Sequence, residues 1–326
     1  MSFMKLLVLG GTAWLGRATA ASAIAAGHDV TCAARGAHVP QGAKRFRVDR
    51  DVADGLAPLA DARWDAVVDV SRQPGQVRRA TRQLRADRYV FVSTCNVYAS
   101  QGEIGADESA PLLDPLDADV MTDAEDYGRA KVACEDAVRE SFGTDRSAIV
   151  RPGLIGGPGD PTGRSTYWPR RFAAPSTPGG VVLAPDAPNL PTSLIDVRDL
   201  AAWIVRLAEG AGSGAFDAQG EPHPLPAHLD AARIAAAHQG EVLTAAEDWL
   251  AGHGVHEWAG PRSLPLWLRD PDWYGMNARS TTRALDAGLE RRPLESTLAD
   301  VLGGPMVSGA GLTDEEEREL LSQLTA

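Results

Sequence analysis

Seven residues near the start, Gly10-Gly11-Thr12-Ala13-Trp14-Leu15-Gly16, constrain the fold of this chain more than any other segment. They stand between a short apolar run, Lys5–Leu9, and an alanine-rich stretch that Gly27 ends. A glycine turn joining a strand to a helix lets an anion approach the backbone closely. The helix start then offers amide donors and a favourable dipole. Gly10, Thr12, Ala13, Trp14, Leu15 and Gly16 are therefore expected to cradle a pyrophosphate.

The chain downstream keeps the alternation that such a turn begins. Residues 29–33, 44–48, 66–70, 89–94 and 147–151 read as strands, with helical stretches over 76–85 and 124–141. Strand and helix at this spacing predict an α/β fold with a Rossmann-type, doubly wound parallel sheet. After Pro152 the texture becomes Pro- and Gly-rich, whereas 192–195 (strand-like) and 197–209 (helical) read as a return to the first unit. The expected division is 1–152 with about 192–220 as a dinucleotide-binding domain, and 153–191 with about 221–312 as a smaller, interleaved substrate-binding region. Residues 313–326 form an expected C-terminal helix with a capping start.

Composition removes several function classes. The 326 residues carry 32 basic and 44 acidic side chains, a net charge of −12, which argues against a phosphate-tracking nucleic-acid surface. The first apolar run is too short for a secretion signal, and no stretch approaches the length of a membrane span. Cys32, Cys95 and Cys134 are widely spaced, so no disulfide framework is expected and a reducing cytoplasm is the natural setting. No His, Cys or carboxylate cluster has metal-ligand spacing. Only three of the basic residues are lysine: Lys5, Lys44 and Lys131.

Two further positions point to chemistry. The second strand ends Ala33-Ala34-Arg35-Gly36, without the carboxylate that commonly accepts hydrogen bonds from an adenosine ribose. Arg35 stands where a 2′-phosphate would lie, so NADP is the expected cofactor, with NAD as the other candidate. Arg50, which follows the third strand, and Val70, which ends the fourth, are further expected cofactor contacts. Tyr127 and Lys131 lie four residues apart on one helical face, where an ammonium favours ionisation of the phenol for proton transfer. Thr94 ends the fifth strand, at the edge of a parallel sheet that faces the ligand crevice, and its hydroxyl could hold a carbonyl oxygen.

Carrying these motifs, nearly the whole chain resembles the extended or atypical short-chain dehydrogenase/reductases, which include nucleotide-sugar epimerases and dehydratases. The similarity also takes in Asp49, Val97-Tyr98, Arg151-Pro152-Gly153, Ile195-Asp196-Val197-Arg198-Asp199 and Arg292-Pro293-Leu294-Glu295. It implies a catalytic set of Thr94, Tyr127 and Lys131, with Lys131 also on the ribose, Asp49 near the adenine and Pro152 near the nicotinamide. The glycine pattern departs from the family's at Ala13, in the middle glycine's place. Dehydratases of the family carry Asp-Glu after the threonine, and this chain has Cys95-Asn96.

The expected activity is therefore hydride transfer between NADP(H) and a carbonyl or alcohol of a small molecule. Asn96, Tyr167, Trp168 and Arg171 are expected substrate contacts. The alternatives are an epimerase that retains NAD, in which Arg164, Arg170 and Arg171 could hold a diphosphate, and a non-catalytic NAD(P)- or RNA-binding relative. The resemblance leaves a homodimer open, paired through the helix that contains Tyr127.

Overall fold

Apolar runs such as Leu6-Leu7-Val8-Leu9 and Ala66-Val67-Val68 are buried on both faces of a seven-stranded sheet, as parallel strands covered by helices must be. The computed structural model describes residues 3–304 and 309–325. Residues 1, 2 and 326, which belong to the first and last expected units, and 305–308 of the substrate region lie outside the described residues.

The strands are β1 (Lys5–Leu9), β2 (Asp29–Ala34), β3 (Lys44–Arg47), β4 (Arg63–Asp69), β5 (Arg85–Val92), β6 (Ser147–Pro152) and β7 (Gly214–Ala218). Their order is β7-β6-β5-β4-β1-β2-β3, and every neighbouring pair is parallel. The order reverses between β1 and β4. That reversal opens a crevice at the carboxyl ends of the strands, the usual ligand site of a doubly wound sheet.

Side chains alternate between the two faces. Leu6, Val8, Val68, Val90 and Val150 pack with α1 (Trp14–Ala25) and with a later helix, Val197–Ala208. Leu7, Leu9, Val67, Phe91 and Ile149 pack beneath α2 (Pro74–Gln83) and α3 (Tyr127–Phe142). A third core gathers residues beyond Leu154, including Trp168, Phe172, Leu183, Leu229, Trp267 and Leu321, with Cys95 as its contribution from the first half. It joins α4 (Tyr167–Ala173) to α6 (Leu225–Ala235) and α7 (Asp314–Leu324), with Val197–Ala208 being α5.

One strand expectation fails. Residues 192–195 do not enter the large sheet: Pro191–Thr192 pairs with His223–Pro224, and Ile195–Asp196 pairs with Ile155–Gly156. The seventh strand is Gly214–Ala218 instead. Its sequence, Gly-Ala-Phe-Asp-Ala, has poor strand propensity and carries a carboxylate. Asp217 is nevertheless fully buried, because Arg279 donates to it at 2.8 Å and the Tyr98 hydroxyl donates to it at 2.8 and 2.9 Å. The last helix starts where its sequence indicates: Thr313 and Glu316 close a reciprocal capping box.

Candidate active site

The glycine turn works through close packing. A Cβ on Gly16 would stand 2.3 Å from the Gly10 carbonyl oxygen, and one on Gly10, at φ +87°, would stand 2.6 Å from Val70 Cγ2. Glycine at both positions lets α1 begin directly above the switch between β1 and β4. Ala13 precedes the helix and no side chain caps it, so the amides of the first turn keep their capacity for an anion. Trp14 turns away to donate from Nε1 to the Pro158 carbonyl at 3.0 Å, which ties the turn to the loop after β6.

A cavity of about 490 Å³ opens at this point. It is lined by Ala13, Trp14 and Leu15 from the turn, Val70 after β4, Thr94 and Asn96 after β5, Tyr127 and Lys131 from α3, and Pro152 from β6. Residues from four strand ends and a helix thus meet where the sequence placed them.

The helix that carries Tyr127 approaches the 94–96 turn through a glycine that sequence reading passed over. A Cβ on Gly128 would lie 2.2 Å from the Asn96 carbonyl oxygen. Of the adjacent hydroxyls, Ser93 is committed to Glu135, donating at 2.6 Å. Thr94 accepts from the Asn96 amide at 3.2 Å and donates to the Asn96 side-chain oxygen at 3.3 Å. Lys131 is buried with Nζ donating to the Ser71 and Val92 carbonyls at 2.6 and 2.7 Å. An ammonium has three donors, so one remains. Arginine could not occupy this position equivalently, because its planar fork cannot reach two converging carbonyls and a third acceptor from one point.

Cys95 lines the same cavity as a buried thiol. Burial, reinforced by Asp217, pushes its pKa up to about 12, so it is neither thiolate nor base at neutral pH. Beneath the site, Glu135 receives two bonds from Arg151, at 3.0 and 2.7 Å, and Arg151 also donates to the Tyr98 oxygen at 2.9 Å. Burial opposes ionisation of Glu135, yet its bonds to Arg151 outweigh that and hold its carboxyl below the usual range.

Several expected contacts lie elsewhere. Arg50 is buried against Asp69, with two bonds of 2.8 Å, and also donates to the Gln76 carbonyl at 2.9 Å, so its guanidinium braces β4 and does not reach the cavity. Tyr167 and Trp168 belong to the third core, and Arg171 is buried against Tyr167. Trp168 donates to the Pro265 carbonyl at 2.8 Å, and Arg171 is held by Asp314 at 2.7 Å and Glu317 at 3.2 Å. Arg170 donates to the Val301 and Gly304 carbonyls. Their positions on a short helix facing that core bury Tyr167 and engage Trp168, Arg170 and Arg171 before a ligand could.

Gly10, Thr12 and Gly16 shape the turn without lining the cavity. Arg35 is 71% exposed and makes a long 3.4 Å contact with Asp51, while Asp49 is exposed and accepts from the Asp51 amide. Sequence reading missed Trp258 and Asn277 altogether. Both line the cavity, Trp258 from the end of a short strand and Asn277 from the end of a 3-10 turn, more than 100 residues beyond Lys131 in the chain, and no motif marks them.

Residues 74–218 match the model of the NAD dependent epimerase/dehydratase family. A 160-residue segment is 29% identical to 2′-dehydrokanamycin reductase of Streptomyces kanamyceticus, and the match spans 47% of this chain and 43% of that protein. The fold is shared with a putative epimerase from Burkholderia cenocepacia at 23% identity and a TM-score of 0.66, with 91% of this chain and 96% of that one covered. It is also shared with the Bordetella bronchiseptica enzyme WbmG, solved with NAD and UDP, at 16% identity and a TM-score of 0.66 over 92% and 94% of the two chains. No described helix is long and apolar enough to cross a membrane. The family match runs over β5, β6 and β7 on one side of the sheet, and together with the Rossmann-type fold it makes this chain similar to the NAD dependent epimerase/dehydratase family.

Proposed function

We propose that this protein is an NAD(P)(H)-dependent oxidoreductase that reduces the carbonyl of a small organic compound, or oxidises the corresponding alcohol. The observation that carries this reading is the convergence of Thr94, Tyr127 and Lys131 on the cavity that begins at the glycine turn. The turn fits a dinucleotide: Gly10 and Gly16 leave room for close approach, and the uncapped start of α1 supplies amides for a pyrophosphate. When bound, the nicotinamide would supply or accept the hydride.

This chain's residues would perform the proton chemistry. Thr94 Oγ1 holds the substrate oxygen, and Tyr127 Oη gives it a proton as the carbonyl is reduced. Lys131 keeps one N–H for a ribose hydroxyl, and its charge favours the phenolate left behind. Asn96 is a substrate contact, and residues 153–191 with 221–312 form the substrate-binding region. NADP(H) is the proposed cofactor: Arg35 is exposed and only loosely held, so it can turn towards a 2′-phosphate.

Two observations favour a reductase over the family's other reactions. Cys95 and Asn96 provide no acid–base pair for elimination at neutral pH. Arg170 and Arg171, which could have formed a diphosphate site, are engaged with carbonyls and carboxylates of the third core. Native mass spectrometry of the purified protein tests the reading. An empty site that takes up NADPH is expected, whereas tightly retained NAD would point to an epimerase that recycles its cofactor.

A further inference from the structure

The cavity that holds Tyr127 has an unusual electrostatic lining for a protein of net charge −12. Lys131 and Arg164 line it, and among the described residues no Asp or Glu does. Lys131 is turned to backbone carbonyls. Arg164 has no such commitment: its Nε donates to Thr162 Oγ1 at 3.2 Å, while Nη1 and Nη2 have no hydrogen bond or ion pair among the described residues. Its guanidinium lies over the ring of Trp258, 5.2 Å from the ring centre. An arginine resting on an aromatic face presents its donors outward, in the geometry that suits two oxygens of one anion.

The position is built. Asp160 is fully buried and accepts from the amides of Thr162 and Ser165 and from both of their hydroxyls, at 2.7–3.0 Å, which folds the loop on either side of Arg164. Gly163, at φ +78°, supplies the reversal directly before it. Trp258 sits at φ +65°, a left-handed backbone that a bulky residue adopts only when its surroundings impose it, and such positions gather at ligand sites. Burial lowers the pKa of the Arg164 guanidinium, as expected where desolvation outweighs the pull of neighbouring acids.

A second donor lines the same cavity. Asn277 is 2% exposed and lines the cavity, yet its Nδ2 is buried without a hydrogen-bond partner among the described residues. A buried amide donor left unpaired bears its desolvation penalty without return. Its neighbourhood is rigid, since Arg279 donates to Asp217 at 2.8 Å and to the Asp107 carbonyl at 2.6 Å. A ligand acceptor would remove that cost.

We propose that Arg164, Trp258 and Asn277 form a subsite for one oxyanion, so that the substrate is a small carbonyl compound bearing a carboxylate or a phosphate ester. This rests on the reductase reading and narrows it. One guanidinium neutralises one anionic group, and the other arginines of the segment are engaged elsewhere. A neutral compound would leave Arg164 desolvated for no return, and an amine-bearing one would be repelled.

The test reads binding apart from turnover. Full-length protein, with and without NADPH, is titrated by calorimetry and tryptophan fluorescence with short straight-chain oxo acids, their primary amides, their amine-bearing counterparts and phosphate esters of similar length. The expected result is a preference for acid or phosphate ester over amide of about tenfold or more. Arg164→Gln should erase that preference while NADPH affinity stays within about twofold. Arg164→Lys should keep more of it for the phosphate ester than for the carboxylate, because only the latter depends on a planar fork. Asn277→Ala should weaken every acceptor-bearing ligand without changing NADPH binding, and guards against an Arg164 variant that fails to fold. Equal binding of acid, phosphate ester and amide by the wild type, or an anion preference that survives Arg164→Gln, would overturn the proposal. If anions bind selectively but none is reduced, the reductase reading fails and the subsite stands. If neutral compounds are reduced without anion preference, the reverse holds.

Discussion

The sheet half and the loop half of this molecule place their site residues by different means. In the first, Val70, Thr94 and Pro152 sit at or directly after strand ends, so seven hydrogen-bonded strands fix them together. In the second, Arg164 sits on a loop folded around Asp160, Trp258 ends a short strand and Asn277 ends a 3-10 turn, and long side chains tie neighbouring segments to distant backbone. Arg171 donates to the Leu312 carbonyl, Arg170 to those of Val301 and Gly304, and Arg279 to that of Asp107. The contrast gives the arginine-rich composition a physical use: a planar cation with five donors can join loops that no ladder connects. It also predicts that chemistry should fail when the first half is altered, whereas selectivity and acid stability should change with the second.

The largest effect should come from the first half. Tyr127→Phe keeps the ring and removes the transferable proton, so kcat for reduction should fall about 10²–10⁴-fold, with cofactor affinity within a few-fold. Stopped-flow hydride transfer and a cofactor titration on the same samples decide it. Near-normal turnover would move the acid to another group and break the assignment of chemistry to the sheet half.

A smaller effect should mark the loop half. His228 on α6 is almost fully buried, and burial pushes its pKa down to about 3, with His223 adding to the shift. The unfolded chain binds a proton there near pH 6.5, so between about 6.5 and 3 it holds more protons than the folded state. Stability from this group is complete above the unfolded value and is lost as pH falls. Between pH 7 and 5 the loss should be about 2 kcal/mol, and His228→Leu should remove that part of the slope whatever its stability at pH 7. Urea unfolding of both proteins at the two pH values measures the difference. Identical slopes would show that acid lability does not reside in the third core.

The smallest effect should lie at the outer edge of the sheet half. Arg35→Ala should reduce the preference for NADPH over NADH by about tenfold, because an exposed charge-assisted bond with Asp51 as competitor sits at the low end of its range. NADH affinity should hardly change. Fluorescence titration of both cofactors resolves this, and an unaltered ratio would mean that the preference is set away from β2.

Much of the first half was legible because its signals are local and periodic. The alternation of Leu6 to Leu9 between two cores, the Gly10–Gly16 turn and the four-residue spacing of Tyr127 and Lys131 are all written within a few consecutive residues. Even there, boundaries moved: α3 begins at Tyr127 and not at Ala124, and β5 ends at Val92. Strand β7 was hidden because Asp217 looks like a surface residue until Tyr98 and Arg279 arrive from positions over 60 residues away on either side. Arg50 misled for the same reason. A guanidinium beside a predicted cofactor site is uninformative until its partner is known, and here that partner is Asp69.

The sequence by itself determined the doubly wound sheet, its glycine turn and the residues proposed to move a proton, since short-range periodicity and steric permission suffice for each. Tertiary structure alone decided which of the many arginines are free. Pairing energy depends on which carboxylate or carbonyl lies within about 3 Å of a long, flexible side chain, and chain order does not encode that distance. Arg171 and Arg164 are seven residues apart and look alike in the sequence. One is closed against Glu317 in a buried core, and the other faces the cavity with its fork open.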